Sequence, residues 1–396
     1  MHRKTDLKTH PLLLICLSQL CVSIGRNLVN PILPLYVSSF NVSYTVVGLV
    51  MSSFGLSRIF VEIPGGALTD RMGRKPIILF GYILSIASHF IAGFAQTPLE
   101  LSVSRMLMGT GSALMLTAGT VYVTEMATED ARTRDLARFQ STLSIAGIVG
   151  PTLGGLISDT LGTRSIFFVA AVVSIIGVLL ILMIRRAGDV SRPEEETSPN
   201  TISIIEIMKD RRMIILSAAC FMMFFLFSSI RGTMIPVYGA DVLKLSAVEI
   251  GLVFSLTSAT TVVGLVFLTH RLEEHFGRPK VLVLALVVNS IAVFLISLAT
   301  NVLTLSAFVV PLGLGLSMLQ PTVFAMISDH AEPGNRGLTM GISRTVAAFG
   351  IVIGPTMVGG LIDLGQPFVA FYVVTGLLGL FAILTRVVFR KPQVTS

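Results

Sequence analysis

Long apolar stretches follow one another along this chain, with short polar segments between them. Each stretch can cross a hydrocarbon core of roughly 30 Å as an α-helix, which needs about 20 mostly apolar residues. Because a backbone in lipid must satisfy its own hydrogen bonds, the pattern predicts an all-α integral membrane protein with twelve transmembrane helices. The predicted spans are 11–37, 44–68, 76–95, 99–124, 136–158, 165–184, 213–239, 247–269, 279–299, 302–327, 338–361 and 367–387.

The one long polar stretch, at 185–212, divides the spans into two groups of six. Its segment 192–196 combines Arg, Pro and three Glu, which favours an exposed linker. We therefore expect an N-terminal six-helix half over 1–184, a cytoplasmic linker over 185–212 and a C-terminal six-helix half over 213–396.

The two halves repeat one another at an offset of about 204 residues. The charged turn at 65–75, between spans 2 and 3, returns in degenerate form at 272–280. The segments 34–36, 109–111 and 150–152 correspond in the same way to 236–238, 313–315 and 354–356. Equivalent spans then run in the same direction. The halves are therefore predicted to be parallel repeats about an axis normal to the membrane.

Composition and charge agree with a protein embedded in lipid, since 53% of the residues are apolar, 13% are charged and the mean hydropathy is +0.83. Most of the 29 Lys and Arg lie in or beside the tails and the even-numbered connections, whereas the odd-numbered connections carry Arg164 and Lys244. This asymmetry predicts that both termini are cytoplasmic. It also explains the net charge of +7 without a nucleic-acid partner. The three Cys lack metal-ligand spacing, so no metal site is expected.

Three motifs in matching order resemble the major facilitator superfamily, and most closely its twelve-span drug:proton antiporter branch. They are the turn at 66–75, Arg105 with Gly109 and Gly111 in span 4, and the glycine series at 147–155 in span 5. The resemblance covers the whole chain. It implies a monomeric, multi-pass transporter of the plasma (cell inner) membrane that needs no cofactor and rocks one half against the other.

The charged turn is predicted to act as a conformational gate. Its residues are Gly66, Asp70, Arg71, Gly73, Arg74 and Lys75. A carboxylate at Asp70 can face a helix N-terminus, where the positive partial charge favours it by about 0.3–1 kcal/mol. The resemblance implies that this helix is span 11. A basic loop that only sets the orientation is the alternative.

Glycines in spans 5 and 11 predict close helix packing. Gly147, Gly150 and Gly154 lie three and four positions apart, so they form a stripe without side chains. An interface between the moving halves and plain structural packing both explain the stripe. The full helix-interface motif is Gly147, Gly150, Pro151, Gly154, Gly155, Gly354 and Pro355.

Charged residues inside spans are expensive and usually functional. Glu62 is the one carboxylate well inside a span, and Arg58 lies one helical turn before it. Glu62 is therefore either a site of proton coupling or the partner in a structural salt bridge. The resemblance also implicates Arg105 in proton coupling. Because Arg keeps its proton, it would act by tuning a carboxylate or by binding a substrate anion.

In the resembled family, spans 1, 4, 7 and 10 line the substrate cavity. The residues that we place there are Arg26, Asn30, Arg105, Phe224, Arg231 and Gln320. Arg231 lies late in its span, and snorkelling towards the interface is its alternative. Lipid-facing surface is the alternative for most of the Phe and Met run at 221–227 that contains Phe224.

Three other titratable residues have less specific expectations. His89 in span 3 is expected to be a hydrogen-bonded structural residue. Glu125 and Asp329, equivalent by the offset, lie near the ends of spans 4 and 10 and are expected to act as gate or capping residues.

We expect a secondary active transporter whose partners are a small-molecule substrate, protons and the lipid bilayer. Proton-coupled efflux of hydrophobic or amphipathic compounds is the leading hypothesis. Four Arg against one Glu inside the spans argue against a preference for cations. A carrier or exchanger of organic anions or metabolites that is not driven by protons is the alternative. The sequence contains no nucleophile-base pair and no phosphate-binding loop, so we do not expect an enzyme.

Overall fold

The chain was analysed as a computed structural model that describes residues 11–184, 210–331, 336–365 and 367–390, with the side chains of 63, 66, 67, 70, 129 and 336–338 outside the description. Among these residues, twelve helices are long and apolar enough to cross a membrane, which confirms the predicted fold class. They are α1 (Pro11–Val29), α2 (Tyr44–Met72), α3 (Arg74–Phe94), α4 (Pro98–Met126), α5 (Arg132–Leu161), α6 (Ser165–Leu182), α7 (Arg211–Asp241), α8 (Ala247–Phe276), α9 (Arg278–Ile296), α10 (Val302–His330), α11 (Arg336–Asp363) and α12 (Pro367–Arg390).

The described residues form two compact units. The first contains 11–40, 56–184 and 246–255, and the second contains 41–55, 210–245, 256–331, 336–365 and 367–390. The beginnings of α2 and α8 therefore each belong to the unit built mainly from the other half of the sequence. Of the predicted linker, 185–209 lies outside the described residues, and the predicted domain boundaries stay a prediction.

Helix packing follows the same plan in each unit. In the first, α1 packs on α5, and α3 packs on α4 and α6. In the second, α7 packs on α11, and α9 packs on α10 and α12. Every pair in the second unit is the first-unit pair moved six helices along the chain. This is the arrangement expected of two parallel six-helix repeats.

One glycine forms each of two tight turns. Gly73 separates α2 from α3 with a φ of 87°, and Gly277 separates α8 from α9 with a φ of 79°. Residues with a Cβ rarely adopt this backbone conformation, whereas glycine does so freely. Two long helices can therefore follow one another with a single residue between them.

The first span is shorter than the apolar run predicts. The run covers 11–37, but α1 ends at Val29 and a separate helix, Leu33–Ser38, follows it. Pro31 and Pro34 lie at this break. Proline lacks a backbone N–H and its ring clashes with the preceding turn, so it interrupts a helix that hydropathy alone would continue.

Candidate transport site and gates

Arg74, directly after the α2–α3 turn, binds a carboxylate at the end of α4. Its Nε donates to Oε1 and Oε2 of Glu125 at 3.0 and 3.1 Å. Its Nη1 donates to the carbonyl oxygen of Thr69 at 3.3 Å. Contact with both carboxylate oxygens fixes the orientation of the guanidinium group relative to the carboxylate, in addition to pairing the two charges. The turn is thereby tied to α4 within the first unit.

The second unit contains the equivalent contact. Arg278, 204 residues after Arg74, binds Asp329 at the end of α10. The Nε of Arg278 also lies 3.5 Å from Oε2 of Glu273. In each unit, the arginine at the charged turn thus binds a carboxylate near the end of a later helix. This helix is α4 for the α2–α3 turn and α10 for the α8–α9 turn.

The other residues of the predicted gate occupy different positions. Arg71 is exposed, and Lys75 donates from Nζ to the carbonyl oxygen of Ile184. Gly66 and Asp70 belong to α2, but their side chains lie outside the described part of the structure. The expected approach of Asp70 to span 11 therefore stays a prediction.

Glu62 and Arg58 form an ion pair within α2. The Nε of Arg58 donates to Oε1 of Glu62 at 2.9 Å, and the two side chains are 16% and 18% exposed for Glu62 and Arg58. Pairing lowers the cost of holding both charges at membrane depth. Oε2 of Glu62 is buried and has no hydrogen-bond partner among the described residues, so one carboxylate oxygen remains for a proton.

A cavity in the first unit brings together two of the predicted cavity residues, Arg26 of α1 and Arg105 of α4. It has about 260 Å³ of empty space, including its open side. His89 of α3 also lines it, and its Nε2 is buried with no hydrogen-bond partner among the described residues. This atom departs from the expectation of a hydrogen-bonded structural histidine. Asn30 does not line the cavity, although its backbone N–H donates to the carbonyl oxygen of Arg26 at 3.2 Å.

The remaining predicted cavity residues lie in the second unit. Arg231 lies in a π-helical part of α7, Phe227–Met234, and its Nη2 donates to Oγ of Ser258 on α8. Its guanidinium carbon lies 5.1 Å from the ring centre of Phe227. Such π-helical turns are frequent at functional sites. Phe224 is partly buried on α7, and Gln320 is exposed on α10.

The glycine stripe of α5 contacts two different helices. A methyl group on Gly150 or Gly154 would overlap Asn27 or Leu28 of α1, in the same half of the sequence. A methyl group on Gly155 would overlap the carbonyl oxygen of Ala247 at the beginning of α8. The stripe therefore combines packing within one half with contact to the other half.

The equivalent face of α11 packs on α7. A Cβ on Gly354 would lie 3.0 Å from the carbonyl oxygen of Phe225 and 2.9 Å from Oγ of Ser228. Pro355 lies inside α11 as Pro151 lies inside α5. Gly147 is partly buried on α5.

Two carboxylates without a predicted role bind the beginnings of α2 and α8. Asp363, at the end of α11, accepts hydrogen bonds from the backbone N–H groups of Tyr44 at 2.9 Å and Thr45 at 2.8 Å. Asp159 of α5 accepts them from Ala247 at 3.2 Å and from the next residue, Val248, at 3.0 Å. A carboxylate is favoured there because the first N–H groups of a helix lack partners within the helix.

Hydroxyl pairs accompany these carboxylates along the same helices. Oγ of Ser52 lies 2.8 Å from Oγ1 of Thr356, and Oγ1 of Thr152 lies 2.7 Å from Oγ of Ser255. Asp159 and Asp363, like the two Thr, are 204 residues apart. This offset was the sequence signal that could have identified them. The beginning of α2 therefore packs along α11 as the beginning of α8 packs along α5.

Comparisons with known proteins find one family, and the matches extend along nearly the whole chain. The family model described as Major Facilitator Superfamily matches residues 15–270 and 232–396. Multidrug resistance protein 2 of Bacillus subtilis (strain 168) is 26% identical over 375 residues, 92% of this chain and 93% of that protein. Multidrug resistance protein 1 of the same organism is 25% identical over 368 residues, 90% and 91% of the two chains. The crystal structure of nucleoside transporter NupG has the same fold, with a TM-score of 0.81 at 15% identity over 98% of this chain and 100% of that chain.

Proposed function

Because the chain belongs to the Major Facilitator Superfamily, a superfamily of transporters, we propose that it exports hydrophobic and amphipathic small molecules in exchange for protons. The observation that carries this proposal is the match to two Multidrug resistance proteins over 92% and 90% of the chain. The match includes both halves, which alternating access requires. The partners are then a small-molecule substrate and protons.

The proposed orientation places both termini in the cytoplasm of a cell whose inner (plasma) membrane holds the twelve helices. The concentration of Lys and Arg in the tails and even-numbered connections supports it. The α2–α3 turn and the ion pair of Arg74 with Glu125 are then cytoplasmic, and Asp159 and Asp363 lie at the outer end. A phosphatase reporter, which is active only outside the cytoplasm, should be inactive when fused after residue 390. Activity of this fusion would show that the orientation is the opposite one.

Proton coupling is assigned to Glu62 with Arg105. Glu62 is a carboxylate inside a span of the first unit whose Oε2 is buried with no hydrogen-bond partner among the described residues, and Arg58 holds its other oxygen in place. Arg105 is buried in the same unit and adds positive charge without releasing a proton itself. A carboxylate that alternates between charged and neutral forms can couple substrate release to proton entry.

The proposal is tested in efflux-deficient cells that express the chain. Cells are loaded with cationic, neutral and anionic fluorescent compounds, and accumulation is measured with and without a protonophore. We expect lower accumulation than in empty-vector cells, and this difference should vanish with protonophore and with Asp70→Asn. Unchanged accumulation of every compound, with the protein detected in the membrane, would sink the proposal.

One observation favours a second function, transport of organic anions or metabolites without protons. The cavity in the first unit carries Arg26, Arg105 and His89, a donor set suited to a negative group. Export of only the anionic compound, at an unchanged rate with protonophore, would select this alternative.

A further inference from the structure

One arginine of the second unit, Arg344, lies deeper in its helix than the charge pattern predicts. The pattern groups it with the basic connection between spans 10 and 11. In the structure it lies inside the candidate span Thr339–Asp363, eight residues after the beginning of α11 at Arg336. Eight residues correspond to about 12 Å along the helix axis. A charged residue at such a position normally faces a partner or a water-filled space.

The face of α11 that carries Arg344 is the face that packs on α2. Ile351 and Pro355 follow Arg344 by seven and eleven positions, which places all three on one face. A methyl group on Gly55 of α2 would overlap Ile351, and one on Gly48 would overlap the carbonyl oxygen of Pro355. Towards the beginning of α11, the same face is exposed at Arg344.

The opposite face of α11 has the character of a lipid-facing surface. Phe349 and Ile353 follow Arg344 by five and nine positions, so they lie about 140–180° around the helix from it. Both are large apolar side chains, and they are 46% and 44% exposed. Arg344 does not share this surface. Its exposure therefore indicates access to water or to a ligand, and not to lipid tails.

Two neighbouring helices confirm the depth of the Arg344 guanidinium group. Its Cζ lies 5.9 Å from the ring centre of Phe324, which is six residues before the end of α10. Its charge also acts on the thiol of Cys220, nine residues after the beginning of α7. Six and nine residues correspond to about 9 and 14 Å of helix. The group thus points between α10 and α7 and does not snorkel to the helix ends.

The described residues leave the positive charge of Arg344 without a negative partner. Among them, Arg344 forms neither an ion pair nor a side-chain hydrogen bond. The ring of Phe324 attracts the cation, but it carries no net charge and leaves the guanidinium N–H groups unused. These donors are therefore available to the oxygens of an anionic ligand.

Gln320, Phe324 and Arg344 together form what we name the Arg344–Phe324 surface. Gln320 is exposed one helical turn before Phe324 on α10, so it adds an amide beside the ring. Ser343, the neighbour of Arg344, has its Oγ 3.4 Å from Oγ of Ser217 on α7. This contact ties α11 to α7 next to Arg344. The surface is therefore positioned before a ligand arrives, which lowers the cost of binding.

We propose that the Arg344–Phe324 surface binds the anionic group, a carboxylate or a phosphate, of an aromatic or amphipathic substrate. Arg344 and Gln320 donate to its oxygens, and Phe324 contacts its apolar part. This substrate class rests on the proposed function. An anionic lipid head group has the same chemistry, so the test separates these two sources.

The test is a fluorescence titration of the purified full chain in nanodiscs of phosphatidylcholine. The probes are 1-naphthoate, 1-naphthyl phosphate and the neutral 1-naphthalenemethanol, which share one ring system. We expect saturable binding of at least one anion and weaker binding of the alcohol. Arg344→Gln should raise the dissociation constant of the anion about fivefold, as expected for the loss of an ion pair at an exposed position, and leave that of the alcohol unchanged.

Matched variants separate this surface from general effects of charge and of apolar area. Arg344→Lys keeps the charge but not the planar set of donors, so it should bind the anion more tightly than Arg344→Gln does. Phe324→Leu should weaken binding of all three probes, because it removes the ring contact. The controls are Arg386→Gln on α12 and Phe349→Leu on the opposite face of α11, since both residues are exposed and lie outside the surface. Arg344 is exposed, so its variants are expected to fold.

Two results would overturn the inference. One is equal binding of the anions and the alcohol, or anion binding that Arg344→Gln weakens no more than Arg386→Gln does. The other is displacement of 1-naphthoate from the parent, but not from Arg344→Gln, when phosphatidylglycerol replaces part of the nanodisc lipid, which would assign the surface to a lipid head group. Efflux of cationic or neutral compounds without anion binding that depends on Arg344 defeats this inference alone. Such anion binding by a chain that exports nothing defeats the proposed function alone.

Discussion

Three arginines, Arg26, Arg58 and Arg105, and one glutamate, Glu62, lie well inside the spans of the first unit. The role of each residue depends on the side chains that it contacts. Arg58 and Glu62 satisfy one another within one turn of α2. Arg26 and Arg105 line a cavity with His89. A paired charge at membrane depth stabilises the protein only while its partner remains. The pair in α2 therefore has a structural role in addition to any proton exchange at Glu62.

Arg58→Gln and Glu62→Gln are each expected to destabilise the protein, by up to about 3–5 kcal/mol, because each leaves the other charge poorly compensated. The double variant should recover most of the loss. Thermal unfolding of the purified protein in detergent measures this, with Arg386→Gln as the exposed control. A double variant no more stable than the singles would refute the structural pair. If Glu62 carries the proton, the folded double variant should still lack proton-driven efflux, because glutamine does not titrate.

At the scale of elements, glycine permits helix contacts that a methyl group would prevent. Gly154 of α5 receives the backbone of α1, where a methyl group would overlap the carbonyl oxygen of Leu28. Gly376 of α12 has open space where its Cβ would lie. Both are helical glycines in apolar spans, so their intrinsic helix propensity is the same and only the packing differs.

Gly154→Ala is expected to lower the free energy of unfolding by about 1–3 kcal/mol, because the two helices must separate to accept the methyl group. Gly376→Ala should be neutral or stabilising by up to about 1 kcal/mol, because Ala is the better helix former. Unfolding of the two purified variants under identical conditions compares them. Equal stability of the two variants would show that α1 shifts at little cost.

At the scale of the molecule, the same contacts occur twice at positions that the offset relates. Asp363 binds the beginning of α2, and Asp159 binds the beginning of α8. A transporter that alternates access must separate contacts at one end of the bundle while forming them at the other. Each carboxylate contact is worth about 0.3–1 kcal/mol, which is small enough to break during the cycle.

Asp159→Asn should weaken the contact of α5 with the beginning of α8. It should therefore destabilise the closed state, in which these two helices are in contact. Loss of up to about 1 kcal/mol changes the ratio of closed to open populations by up to about fivefold. Spin labels at Leu161 and Ser246 of a cysteine-free chain report this contact through their distance distribution. Asp363→Asn tests the equivalent contact of α11 with α2, and Asp130→Asn is the exposed control. A distance distribution identical to the parent in the Asp159→Asn variant would contradict the role.

The amino-acid sequence alone determined the number of spans, their parallel repetition and the charged turn that contains Gly73, because hydropathy, a repeat at a fixed offset and a glycine between charged residues can all be read along the chain. Only the tertiary structure decided that Asp363 binds Thr45 and that His89 lines one cavity with Arg26. Such partners come from segments far apart in sequence. In a membrane helix the lipid-facing and packed surfaces are both apolar, so the hydrophobic pattern does not encode which face meets which neighbour.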